Sequence, residues 1–160
     1  MRGGALPPAL LCAALGFALA VAPRRAMLAG IVALVAVAAV IAQIAIPQAW
    51  LEATFLGCWL SAIVTAATVH LPKDRHLVLP LLLAVNAGVW SGAVVAVAGE
   101  PLDLAKALPA VLIALPAAWL VHTNRTIVIK VVASWLIAVS VLAAALPLTP
   151  TPGYKPDHME

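Results

Sequence analysis

His70-Leu71-Pro72-Lys73-Asp74-Arg75-His76 decides how this chain is read. The stretch lies near the midpoint and is the densest knot of charge in a sequence that otherwise has almost none. Apolar runs of about twenty residues flank it on both sides. A short charged turn between two long apolar runs is the mark of two helices crossing a bilayer and meeting at one face.

The composition supports that reading along the whole chain. Of 160 residues, 65% are hydrophobic and 9% charged, and the mean hydropathy is +1.13. A soluble domain carries about 45–50% apolar and roughly 25% charged residues. So few charges cannot cover so much apolar surface in water, and lipid is the solvent the sequence requires. The net charge of +3 is small and dispersed, which points to membrane orientation and gives no footprint for nucleic acid.

Working outward from the turn, the pattern predicts an all-α polytopic membrane bundle of six transmembrane helices, arranged as three antiparallel hairpins. The runs are residues 5–22, 26–46, 53–71, 77–98, 107–123 and 126–146, each of 17 to 22 residues. At about 1.5 Å per residue these match a hydrocarbon core of ~30 Å. Together they form one transmembrane domain, residues 1–146. Residues 147–160 form a proline-rich tail that is expected to be disordered or extended. Gly99 to Lys106 reads as the longest internal loop. Pro116 falls inside the fifth run, where it is expected to remove a hydrogen bond and kink the axis. The first run also resembles a signal peptide, with Arg2 before it and Ala20-Val21-Ala22 near its end. Pro23 would then block cleavage, and Arg24 and Arg25 would be exported against the charge rule, so the run is read as a retained helix.

Alternate connections sort by charge. Arg24, Arg25, Lys73, Arg75 and Arg125 fall in the first, third and fifth turns, and Lys130 can snorkel to the same side. Arg2, Lys106 and Lys155 fall on the other side, with Glu52, Glu100, Asp103, Asp157 and Glu160. The positive-inside rule therefore places both termini outside the cytoplasm. Arg25, Arg75 and Arg125 are 50 residues apart, which suggests three repeated hairpins; six helices with short loops recur at that period anyway.

Helix three carries Thr54, Cys58, Ser61, Thr65 and Thr68 at steps of four and three, so all five share one face. Helix four carries Ala84, Gly88, Gly92 and Ala96, a ladder of small residues. Such faces permit close helix approach, and the expectation is that helices three and four pack through them. The sharper alternative is that the hydroxyl stripe lines a polar path. Asn86 is the most polar side chain well inside a span and should face other helices, as glue or as a solute contact. Gln43, near the end of helix two, is placed to reach interfacial water. Trp59, Trp90, Trp119 and Trp135 read as packing residues, and Trp50 as part of the interfacial belt.

His70, His76 and His122 cluster at one predicted edge and are weak candidates for a metal or pH-sensing site, if the helices bearing them touch. A histidine at a helix C-terminus also simply complements the dipole. Cys12 and Cys58 lie inside apolar runs without a CxxC pair and read as small buried hydrophobes. No Asp or Glu lies within a span, and no HExxH, P-loop or Ser/His/Asp set is present. The reading is therefore a protein that is not an enzyme and has no predicted cofactor.

Three functions compete. The first is an accessory or structural subunit that assembles with another membrane protein or with copies of itself. The second is a compact oligomeric transporter or channel for a small solute, using the stripe, Asn86 and the Pro116 kink. The third is a membrane redox or metal-handling protein using Cys12, Cys58 and the edge histidines. The Ala/Val/Leu-rich style suggests a high-GC bacterium and hence a multi-pass protein of the inner membrane.

Overall fold

The protein's structure, a computed structural model, describes residues 5–71 and 78–146. Lys73, Arg75 and His76 of the central turn lie outside the described residues, as do Arg2 and the tail 147–160. Every described element is helical. Among the described residues there are six helices in the expected order: α1 (Leu6–Ala20), α2 (Arg24–Ile41), α3 (Leu51–Ala67), α4 (Val78–Ala98), α5 (residues 101–122) and α6 (Thr126–Ala145). Five are long and apolar enough to cross a bilayer: α2, α4, α5, α6, and α3 once its 3₁₀ ends extend it to Gln48–His70. α1 is the shorter exception at 15 residues.

The helix ends differ from the expected runs for identifiable reasons. α2 begins at Arg24 because Pro23 is extended and serves as its N-cap. It stops at Ile41, short of residue 46, and two 3₁₀-type bonds, from Gln43 N–H to Val40 and from Ile44 N–H to Ile41, close its end. Pro47 disfavours helix at the residue before it, so the chain unwinds ahead of it. The expected loop from Gly99 to Lys106 is mostly helix. Pro101 opens α5 at the first helical position, and Asp103 Oδ2 accepts the Glu100 backbone N–H at 3.1 Å. Both are helix-start signals.

Within α5 the segment Leu108–Ile113 is 3₁₀, and regular α-helix resumes at Ala114. Pro116 therefore sits in the first turn of the resumed helix. Its ring would collide with the Leu112 carbonyl if the α-helix ran through, and the 3₁₀ stretch relieves that clash.

α1 occupies the middle. It contacts α3, α4 and all three parts of α5, and Leu11, Leu15 and Leu19 are fully buried along it. Gly16 lets the 3₁₀ stretch of α5 lie directly on the α1 backbone: a Cβ there would stand 2.9 Å from the Val111 carbonyl oxygen. α2 leans chiefly on α4, and α6 on α3. The closest packing thus falls largely between helices that do not follow one another in sequence. α1 and α2 scarcely touch whereas α3 and α4 pack extensively, so the expected hairpins are not structurally equivalent.

Side chains on the outside are apolar as well. Leu28, Val32, Leu60, Val64, Leu82, Leu115, Val131 and Leu142 are exposed on five helices. That is the surface of a bundle solvated by lipid. Trp50 is exposed just before α3.

Candidate functional site

The α3 stripe is where polar groups enter the bundle. Thr54, Cys58, Ser61 and Thr65 are buried on one face, and Thr68 is half-buried. Their hydroxyls go to different partners. Thr54 Oγ1 donates to the Leu51 carbonyl at 2.8 Å, and Thr68 Oγ1 to the Thr65 carbonyl at 2.7 Å. Both bonds stay within the helix and leave no hydroxyl proton for a solute. Ser61 Oγ accepts a hydrogen bond from Asn86 Nδ2 on α4. Thr65 Oγ1 is fully buried and is the one buried side-chain oxygen without a partner among the described residues.

Asn86 is the ninth of the 21 residues of α4, so it lies near mid-span. It is half-buried and lines a groove of about 370 Å³ between α3 and α4, with Gly57, Ser61, Leu82 and Trp90. The exposed Leu60 and Val64 form the outer wall, so the groove opens on the flank of the bundle. Gly57 makes room for Trp90: any Cβ at position 57 would enter the indole ring. The pairs Ser61–Asn86 and Gly57–Trp90 keep a constant sum of residue numbers, which is the register of antiparallel helices.

The small ladder of α4 faces elsewhere. A Cβ on Gly88 would meet the Leu34 carbonyl oxygen at 3.0 Å, and one on Gly92 the Ala38 carbonyl oxygen at 2.7 Å. The ladder therefore packs on α2, with the two helices running parallel, and the expected ladder-to-stripe interface between α3 and α4 is corrected. A small face specifies close approach, and its partner follows from the third dimension. α4 meets α2 on the ladder, α3 at Asn86 and Trp90, the start of α5 near its own C-terminal end, and α1 at Ser91, whose Oγ lies 4.0 Å from Cys12 Sγ.

Cys12 and Cys58 are buried free thiols. His70 Nε2 lies 3.4 Å from Ser134 Oγ on α6, and His122 is exposed at the end of α5. No group of three His, Cys, Asp or Glu side chains converges among the described residues. Trp59 and Trp90 pack inside as expected, whereas Trp119 and Trp135 are exposed on the outer surface. Gln43 lies just beyond α2 in a small cleft with Val95, Gly99 and Leu104.

Three contributors escaped the sequence reading: Gly16, Gly57 and Gln48, whose Nε2 donates to the Val97 carbonyl at 2.9 Å and ties the start of α3 to the end of α4. An isolated glycine inside a helical run was the available signal for the first two.

The ends of the helices gather in two groups. Val21, His70, Asn124 and Lys130 line one cavity, and Leu6, Leu51, Glu52 and Leu146 line another. The ends of α1 and α3 and the turn from α5 into α6 therefore meet at one end of the bundle. Comparison with protein-family models, with curated proteins and with solved structures returns no match.

Proposed function

We propose that this chain is a small accessory or structural subunit of a membrane assembly, joined to another membrane protein or to further copies of itself through the α3–α4 groove. Asn86 carries the reading. An asparagine side chain offers two donor hydrogens and a carbonyl with two lone pairs. Only its bond to Ser61 is made among the described residues. The rest of the amide faces a mid-span groove whose surroundings are hydrocarbon, where unpaired polar groups are costly and interhelical hydrogen bonds are worth about 0.6–2 kcal/mol. A helix from a partner, bearing a hydroxyl or amide at that depth, would satisfy it. The bundle's own centre favours the same view, since α1 fills it with leucines and leaves the stripe little to offer a solute.

The arrangement of charge fits a protein of the inner membrane with both termini outside the cytoplasm. Arg24, Arg25, Arg125 and Lys130 fall at one end, and Glu52, Glu100 and Asp103 at the other. Reporter fusions at Ala49 and Arg125 should land in opposite compartments; the same compartment for both would refute the orientation.

The assembly itself is tested by extraction in mild detergent and native electrophoresis. The 16.4 kDa chain should run in a larger complex, and Asn86→Leu should release it as a folded monomer. Unchanged migration of the variant would reject the groove as the joint. A second reading, a compact oligomeric transporter, draws on the unpartnered Thr65 hydroxyl. It requires Thr65→Val and Asn86→Ala to abolish solute uptake at normal expression.

A further inference from the structure

The end of the bundle that carries the basic turns holds a cavity of about 380 Å³. Three separate parts of the chain build it. Val21 comes from the end of α1, Val69 and His70 from the end of α3, and Asn124, Thr126 and Lys130 from the α5–α6 turn and the start of α6. The turn is tightly determined. Asn124 has φ of 60°, the Arg125 N–H bonds the Leu120 carbonyl at 2.9 Å, and the Asn124 N–H bonds the Val121 carbonyl at 3.2 Å. That pattern is a Schellman closure. His70 Nε2 lies 3.4 Å from Ser134 Oγ on α6, whose one hydroxyl proton goes to the Lys130 carbonyl at 2.9 Å, so the oxygen can accept from the imidazole.

The lining is a set of donors over an apolar floor. Lys130 brings an ammonium, Asn124 an amide and Thr126 a hydroxyl, while the buried Val69 and Ile129 close the bottom. Among the described residues no acidic side chain lines it. Arg24, Arg25 and Arg125 stand at the same end, and every acid among the described residues lies in the first turn or at the N-cap of α3 or α5, which start at the opposite end. The charge and donor set fit an oxyanion. Lys130 stands four residues into α6, about 6 Å below its start, which is the depth of the headgroup layer.

We propose that this cavity is a phosphate-binding site, filled by the headgroup of an anionic phospholipid or by free phosphate, with Lys130 as its charge and Asn124 and Thr126 as its neutral donors. The apolar floor suits the glycerol end of a lipid and offers nothing to a hydrated ion, so the headgroup is the expected source.

Native mass spectrometry of the full chain in mild detergent tests this, with phosphatidylglycerol, phosphatidylcholine and inorganic phosphate as probes. Phosphatidylglycerol should be retained about ten-fold better than phosphatidylcholine, and Lys130→Gln should erase that preference, as loss of one charge-assisted bond to phosphate predicts. Lys130→Arg should keep it, and Lys106→Gln at the opposite end should leave it unchanged. Displacement of the lipid by inorganic phosphate, dependent on Lys130, would identify free phosphate as the occupant. Equal retention of the two lipids with no Lys130-dependent phosphate binding overturns the proposal, as does a preference that survives Lys130→Gln. Should Lys130→Gln fail to fold, Thr126→Val carries the same comparison.

Discussion

α1 and α6 are nearly indistinguishable as strings of apolar letters, and they occupy opposite environments. Eleven of the fifteen residues of α1 are buried, on every side of the helix. Five of the twenty residues of α6 are buried, and they form one stripe: Ile129, Ala133, Leu136, Ser140 and Ala144. In water such a difference would be written in the polarity of the outer face. In lipid the solvent is as apolar as the core, so both faces of a helix carry the same residues. What separates the two helices is length and local shape. α1 has 15 residues and Gly16, against which the α5 backbone lies; α6 has 20 residues and bulky Ile127, Val131 and Leu142 facing out.

The most severe test of that contrast is Gly16→Leu. A leucine there must enter the backbone of the 3₁₀ stretch at Val111, which cannot rotate aside as a side chain would. Overpacking costs about 1–3 kcal/mol where side chains can shift, and this site should exceed that range. A fall in the thermal unfolding midpoint in detergent, or loss of the folded monodisperse species, would record it. A leucine tolerated there would mean that α1 and α5 are not in backbone contact.

Next in size is a matched pair. Leu15→Ala in α1 should cost about 2 kcal/mol, the low end of the range for buried leucine, because lipid already solvates the methyl groups in the unfolded reference and only the cavity term survives. Leu142→Ala in α6, at a residue facing out, should stay within about 0.5 kcal/mol. Unfolding midpoints of the two variants, measured side by side, decide whether the buried and lipid-facing helices differ as described. Equal losses would erase the distinction.

The number and approximate position of the helices were legible, because uninterrupted apolar runs bounded by charge have one reading in a bilayer. The sharing of polar Thr54, Cys58, Ser61 and Thr65 on a single buried face was legible from their spacing alone. The centrality of α1 was not, since lipid-facing and protein-facing leucines look alike. Nor was the partner of the α4 ladder, because Gly88 and Gly92 admit any neighbour and only the packed bundle shows that it is α2. The start of α5 is legible in Glu100-Pro101 with Asp103, a helix opening whose polar composition also suits a loop. Trp119 and Trp135 were misplaced for the same reason that α1 was, an indole being at home either in a core or against lipid.

A smaller effect sharpens the view that α6 is set by its entry turn more than by burial. Asn124 sits at φ of 60°, where a Cβ is disfavoured. Asn124→Val should cost about 1–2 kcal/mol, and Asn124→Gly should be close to neutral. Unfolding midpoints of the two variants separate backbone strain from loss of the amide.

Among the substitutions expected to destabilise, the least effect belongs to Gln48. Its amide bonds the Val97 carbonyl, which lies in the last turn of α4 and has no intrahelical acceptor role left to fill. Gln48→Leu removes that bond and leaves the carbonyl near the membrane edge, where water can replace the amide. The loss should therefore be about 0.5–1 kcal/mol, toward the lower part of the usual range for a hydrogen bond. The same substitution is informative beyond its size. Gln48 joins α3 to α4 at the end opposite the basic turns, and Ser61–Asn86 joins them at mid-span. If Gln48→Leu were as damaging as Leu15→Ala, the α3–α4 pair would be held at its end and its Asn86 groove would be slack, with no fixed surface to offer a partner. A small effect leaves the hinge-free pair rigid at Asn86, which is what docking a second helix there requires.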